Sequence, residues 1–281
     1  MILVFGKTGQ VATELRRQGE VTALGRDAAD LSNPAACAKV IEESNATCVI
    51  NAAAYTAVDR AEEEESLATV INGDAPAAMA RACAAKGIAF LHLSTDYVFD
   101  GTGDAPWKPD DPVAPLNAYG RSKLAGEKGI ALAGGRSAIL RTSWVVSSHG
   151  NNFVKTMLRL SQTRDALAIV DDQIGGPTPA ADIAATLLRI AAPLGVGQSG
   201  GVYHYGGMPW VSWKDFATEI FVQAHRDITV TGIPGAQYPT PAARPHNSRL
   251  DCSRLTQDFG IEPPDWKTGL AHILSDLEAA Q

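Results

Sequence analysis

The opening stretch, MILVFGKTGQVATEL, restricts the fold more than any other. Five apolar residues run to Gly6, and a helical pattern starts near Gly9. ILVF (2–5) reads as a short strand buried on both faces. GKTGQVA then turns directly into a helix, with Gly6, Gly9 and Ala12 at three-residue spacing. Glycine lets the backbone turn sharply and approach a ligand, and a small third residue lets the helix lie close on the strand. The helix start offers unpaired N–H groups and a positive dipole end to a phosphate. No Gly-Lys-Ser/Thr closes the loop, which excludes the nucleoside-triphosphate type. The pattern predicts a dinucleotide held at the first βα turn.

The rest of the chain keeps the same rhythm. Strands are expected at 21–24, 47–51, 88–94 and 138–143, and helices at 9–18, 33–44, 61–71 and 74–86. Asn33 is placed to cap the second helix and Pro34 to occupy its first position. Strands alternating with helices predict an α/β fold, a Rossmann-type doubly wound parallel sheet with ligands at the carboxyl ends of its strands. After residue 150 the pattern loosens: a strand at 168–170, a helix at 180–191, a strand at 201–206, a helix at 212–224 and a last helix near 267–279. The expected division is a dinucleotide-binding domain over 1–150 and, over 151–281, mainly a smaller C-terminal substrate-binding lobe. Segments around 168–205 are expected to return to the first domain. Residues 100–118 hold four prolines and four aspartates. A loop of that length inside a compact domain is usually functional, and its position suits an active-site wall.

Composition removes other classes. A net charge of −7 over 281 residues does not attract nucleic acid, so an anionic ligand must be held by local basic groups. No apolar run approaches the roughly 20 residues that cross a bilayer, and the short apolar start is no secretory signal. Four cysteines, Cys37, Cys48, Cys83 and Cys252, form no pair or cluster with histidine. A soluble protein in the reducing cytoplasm, with no metal site, is expected.

Chemistry enters at PLNAYGRSKL (115–124), where Tyr119 and Lys123 share one face of a helix. Tyr-x-x-x-Lys arises by chance in roughly one chain in five of this make-up, so the context has to carry the reading. That context is a phosphate loop upstream and then HLSTDYVFDG (92–101), which puts the hydroxyls of Ser94 and Thr95 at a strand's carboxyl end. Free tyrosine titrates near 10. A neighbouring ammonium and the positive charge of an oxidised nicotinamide favour the phenolate and bring that value down. Thr95 is placed to share the substrate oxygen. Tyr119, Lys123 and Thr95 are therefore the expected catalytic group.

With these motifs in hand, the chain resembles the extended short-chain dehydrogenase/reductases and, within them, the dTDP-4-dehydrorhamnose reductase family. The resemblance runs nearly end to end: FGKTGQV, NAAAYTAVD, STDYVFDGTGDAPW, PLNAYGRSKLAGE, RTSWV, GNNFVKTMLRL, DDQIGGPT and YPTPAARPHNSRL. It implies NAD(P)H-dependent reduction of a sugar C4 ketone, the last step of dTDP-rhamnose synthesis. NADPH is the expected cofactor, NADH is also accepted, the substrate is a nucleotide sugar, and the assembly is a homodimer. Tyr119 would protonate the ketone oxygen, and Lys123 would bind the nicotinamide ribose and tune Tyr119. Gly9, Gln10 and Val11 would hold the pyrophosphate, with Asp30 and Leu31 by the adenine and Ala52, Ala53 and Ala54 along the cofactor. Thr95 and Asp96 would contact the sugar and Trp144 would pack on the substrate. Asn152, Lys155, Arg244 and Arg249 are candidates for the nucleotide and its diphosphate. Some relatives bind Mg²⁺ at a dimer interface through several glutamates. Glu14 matches one of these, but Ala181 stands where another would be.

Cofactor choice is read from the end of the second strand, where an acidic residue would repel a 2′-phosphate. There the chain has Gly25 and Arg26, with Asp27 one position late for the ribose. A 4,6-dehydratase of this fold would carry Asp-Glu after the threonine, whereas here the pair is Asp96-Tyr97. An epimerase and a non-catalytic NADP-binding subunit stay open as alternatives. AEEEES (61–66) reads as a solvated helix start. His92 and His204 read as core residues, and Trp107, Trp210, Trp213 and Trp266 as packing.

Overall fold

A computed structural model describes residues 1–279. In chain order, the first half comprises β1 Ile2–Phe5, α1 Gln10–Gln18, β2 Val21–Leu24, α2 Pro34–Glu43, β3 Cys48–Asn51, α3 Glu65–Thr69, α4 Ala75–Lys86, β4 Ala89–Thr95, α5 Ala118–Ala133, β5 Ser137–Thr142 and β6 Val145–Val146. The second half comprises α6 Phe153–Leu160, β7 Ala166–Val170, β8 Ile174–Gly175, β9 Thr178–Pro179, α7 Ala180–Gly195, β10 Gly201–Tyr205, β11 Val211–Ser212, α8 Trp213–Gln223, β12 Thr229–Ile233, β13 Asn247–Ser248, α9 Ser253–Phe259 and α10 Trp266–Ala279.

Six strands form the main sheet in the order β2-β1-β3-β4-β5-β10, with every pairing parallel. The strand residues alternate between its two faces. Val4, Ile50, Leu91 and Leu140 meet Leu15 of α1 and Ile183 and Leu187 of α7. Leu3, Phe5, Val49, Phe90 and Ile139 meet Ile41 of α2, Met79 of α4 and Ile130 of α5. This is the doubly wound architecture expected. Its order reverses between β1 and β3, which places the ligand crevice at their carboxyl ends.

A third core, with Val154, Met157, Leu167, Phe216, Ile220, Trp266 and Leu270, lies under α6, α8 and α10. β7 pairs with β12 in this region, away from the main sheet. Of the segments expected to return to the first sheet, α7 and β10 do so and β7 does not. Nothing in AIV distinguishes a strand that extends the large sheet from one that pairs locally. Asn33 caps α2 by accepting from the Ala36 N–H at 3.1 Å, and Pro34 begins that helix.

The helices expected at 61–71 and 74–86 differ. Residues 60–62 form a 3₁₀ turn, and α3 runs into α4 through a π-helical turn at Val70–Asp74. Asn72 explains the π turn. Its side chain leaves the helix to accept from the Tyr55 N–H at 2.8 Å and to donate to the Tyr55 carbonyl at 3.0 Å and Ser122 Oγ at 2.9 Å. A β-carbon on Gly126 would lie 2.2 Å from the Asn72 carbonyl oxygen, so only glycine lets α5 seat here. Such turns concentrate at functional sites, and this one anchors the helix that carries Tyr119 and Lys123. Glu62, Glu64 and Glu65 are not merely solvated: they accept from the Ala118 N–H, the Tyr55 hydroxyl and the Arg121 guanidinium.

Candidate active site

A cavity of about 570 Å³ opens at the carboxyl ends of β1, β3, β4 and β5. Gly6, Gly9, Gln10 and Val11 line it from the first turn, Arg26, Asp30 and Leu31 from the second, and Ala52, Ala53 and Ala54 from the third. Gly6 sits at φ 114, and a β-carbon there would lie 3.3 Å from the Ala52 backbone. Gly9 begins α1 with no side-chain cap, so the first N–H groups of the helix face the cavity unpaired. Thr142 lines the same space, and its buried hydroxyl has no partner. These features fit a dinucleotide: a glycine cradle and helix start for the pyrophosphate, and a free hydroxyl at the far end.

Tyr119 and Lys123 line the cavity beside Ser94. Burial pushes the Tyr119 phenol up to about 12; the nearby Asp96 carboxylate adds to the rise, and a hydrogen bond with Thr95 opposes it. Tyr119 is thus a protonated donor at neutral pH, and the lowering expected of a neighbouring ammonium and an oxidised nicotinamide acts against this rise. Lys123 is 2% exposed and donates to the Leu93 carbonyl at 2.6 Å. Burial brings its amine down to about 8, while the Glu127 charge works the other way. Glu127 is buried too, in a two-pronged pair with Arg141 at 2.9 and 2.6 Å, and it accepts from Ser94 Oγ at 2.5 Å. Asp96, 3% exposed, is raised to about 6, chiefly by burial, with Ser248 and Thr95 hydrogen bonds opposing; its Oδ2 has no partner. Tyr97 meets Tyr119 edge to face at 5.6 Å.

The outer candidates divide. Trp144, at φ 47, stacks on Trp213 with ring centres 3.5 Å apart. Asn152 caps α6 through the Lys155 N–H and donates to Gln10 Oε1 at 2.9 Å, so it supports the phosphate loop from behind. Lys155 donates to the Ser148 carbonyl. Arg244 pairs with Asp59 at 2.8 Å, tying residues 239–250 to the turn after β3. Arg249 donates to Asn247 Oδ1 at 3.0 Å. None of these last four lines the cavity.

Sequence reasoning missed three residues here. Lys7 lines the cavity in the phosphate loop, where an exposed lysine carries no pattern. Thr142 was visible only as a hydroxyl at a strand end. His92, read as core, is buried as expected, yet its Nε2 stands 3.1 Å from Lys123 Nζ. Gly25 and Arg26 line the cavity and Asp27 does not; the Asp27 Oδ1 lies 2.5 Å from where a β-carbon on Gly25 would be. Glu14 is occupied by Arg17 at 3.2 Å and His149 at 2.7 Å. The four cysteines are buried and free, and among the described residues no helix is long and apolar enough to cross a membrane.

Fold and site define an NAD(P)-dependent oxidoreductase of the short-chain type. Residues 1–279 match the family described as the RmlD substrate binding domain, and the chain belongs to it. The dTDP-4-dehydrorhamnose reductase of Shigella flexneri is 42% identical over 293 residues, covering 98% of this chain and 97% of its own. That of Sinorhizobium fredii is 43% identical over 284 residues, covering 97% and 96%. Among solved structures, the dTDP-4-dehydrorhamnose reductase of Clostridium acetobutylicum superposes with a TM-score of 0.93 at 36% identity over 99% of both chains. The Bacillus anthracis enzyme, solved in complex with NADP, gives 0.93 at 32% over 98% of both.

Proposed function

We propose that this chain reduces the C4 ketone of dTDP-4-dehydro-L-rhamnose to dTDP-L-rhamnose with NADPH. The observation that carries the reading is that Tyr119 and Lys123 line the same cavity as the glycine turn, where β4 ends in Ser94 and Thr95. The reduced nicotinamide supplies the hydride. Tyr119, protonated at neutral pH, donates its proton to the ketone oxygen as charge develops there. Thr95 shares that oxygen and steadies the resulting phenolate. Lys123 binds the nicotinamide ribose and contributes its ammonium. Asp96 and Trp144 bound the sugar.

Lys155 and Arg249 each make one hydrogen bond through the charged group, so donors remain for the diphosphate. Arg244 serves instead to hold residues 239–250 against Asp59. Residues 1–150 with α7 and β10 form the dinucleotide domain, and α6, β7, α8, β12 and α10 form the substrate lobe. The family favours a homodimer acting in the cytoplasm.

The deciding measurement is NADPH absorbance with and without dTDP-4-dehydrorhamnose. Oxidation that requires the sugar supports the reading. A folded protein that binds NADPH but leaves it unoxidised with this sugar would refute the reading in favour of another nucleotide-sugar enzyme of this fold or a binding subunit.

A further inference from the structure

Lys123 has a neighbour that the mechanism does not use. His92 of β4 and Asn51 of β3 are register partners in the sheet, and with Lys123 they form a buried row, 1%, 0% and 2% exposed. Asn51 Nδ2 lies 3.2 Å from His92 Nδ1, and His92 Nε2 lies 3.1 Å from Lys123 Nζ.

The direction of these bonds follows from one donor that cannot be reversed. The Ala53 backbone N–H donates to Asn51 Oδ1 at 3.1 Å. The amide oxygen of Asn51 therefore faces Ala53, and its NH₂ faces His92. His92 Nδ1 must then accept. Burial, with the Lys123 charge adding to it, holds His92 neutral, well below its ordinary value. A neutral imidazole has one hydrogen, and with Nδ1 accepting, that hydrogen is on Nε2, pointing at Lys123. A free amine can accept it, whereas an ammonium has no lone pair to offer.

We propose that His92 is a positioning residue for Lys123: oriented by Asn51, it presents Nε2–H to the side-chain nitrogen, holds the free amine at the end of β4, and weakens the ammonium's hold on its third proton. This rests on the reading of Lys123 as the site lysine. The other ionisable groups around the amine are Tyr119 one turn before it and Glu127 one turn after it on α5, Arg141 from β5 bound to Glu127, Asp96 after β4, and His204 of β10 beyond Arg141. Glu127 favours the ammonium and His92 opposes it. The backbone at Ala53, which fixes the direction of the row, itself lines the dinucleotide cavity.

Two measurements test this. In protein labelled with ¹⁵N-histidine, the resonances of His92 are identified among the six histidines by their loss in His92→Phe or His92→Asn. A bare Nδ1 and a protonated Nε2 are expected at neutral pH, and a protonated Nδ1 would overturn the proposal. The second measurement is the alkaline limb of kcat/KM. His92→Phe removes the opposing N–H. Asn51→Asp reverses the tautomer, because a carboxylate accepts from Nδ1–H and leaves Nε2 to accept from the ammonium. Both variants should move the limb upward by about one pH unit, the size expected of one hydrogen bond involving a charge. A downward shift, or none in either variant, would overturn it. The limb should vanish in Lys123→Met. If it persists there, the reading of Lys123 fails, while the tautomer is judged separately by its resonances.

Discussion

Replacing Glu127 by Gln keeps the side chain's shape and removes its charge. The pair it forms with Arg141 is 5% exposed on both sides, so the guanidinium would be left in a dry interior. Three donors converge on the Glu127 carboxylate: Arg141 Nε, Arg141 Nη2 and Ser94 Oγ. A glutamine offers one oxygen, and its NH₂ then faces a donor. Breaking a buried pair from one side costs about 3–5 kcal/mol. Urea unfolding followed by tryptophan fluorescence should show a loss of that size with an unchanged slope. Arg141→Met added to Glu127→Gln should recover part of it, because the stranded charge is gone. The same change should lower the alkaline limb of activity, since the Glu127 charge supports the Lys123 ammonium. A stability loss below about 1 kcal/mol, the range of exposed pairs, would refute the idea that this pair acts as a buried one.

Tyr119→Phe should lower kcat by about 10²–10⁴-fold, the usual worth of a positioned acid, with NADPH binding by fluorescence nearly unchanged; full activity would end its assignment as the acid. Lys123 titrates at about 8 in the fold against 10.5 free, so below pH 8 its charge costs stability on the order of 3 kcal/mol, and the cost disappears as pH rises from 8 to 10.5. Stability of Lys123→Met relative to the unsubstituted protein should therefore fall by that amount between pH 7 and 10.5; a constant difference would contradict the lowered value, and the comparison cancels the buried cysteines and tyrosines. NADPH should exceed NADH in kcat/KM by very roughly tenfold, about 1.4 kcal/mol; Arg26→Ala should erase most of this and Asp27→Ala should increase it, while equal efficiencies in the unsubstituted enzyme would show that Arg26 does not meet the 2′-phosphate. Activity and the proposed homodimer should survive EDTA, because Glu14 is held by Arg17 and His149; dissociation on EDTA measured by light scattering would refute this.

What was legible in the sequence was local. ILVF followed by GKTGQVA specifies a strand, a tight turn and an open helix start within twelve residues, and the structure has all three. Asn33-Pro34 likewise names a helix start by its own chemistry. What was not legible depends on partners far along the chain. β7 and β10 look alike as apolar runs, yet β10 joins β5 and β7 joins β12. The π turn at Val70–Asp74 depends on Tyr55 and Ser122. His92 sits in an apolar strand, and its role is visible only once Asn51 and Lys123 stand on either side of it. Asn152 shows the opposite failure: its place before a helix was a capping signal, and the family resemblance drew attention instead to the nucleotide.

The strand order also sets a sequence of events during synthesis. β5 lies between β4 and β10, and the chain between β5 and β10 builds α6, β7 and α7, with only the first part of the third core. A growing chain therefore carries β5 as an open edge until residue 205 has left the ribosome, and an open parallel edge is an invitation to wrong partners. The wall at 100–117 waits longer still, since Trp107 and Gly101 bond to residues 247, 249 and 251. The dinucleotide half is first in the sequence but among the last parts to be completed, so its correct closure depends on the final quarter of the chain arriving folded.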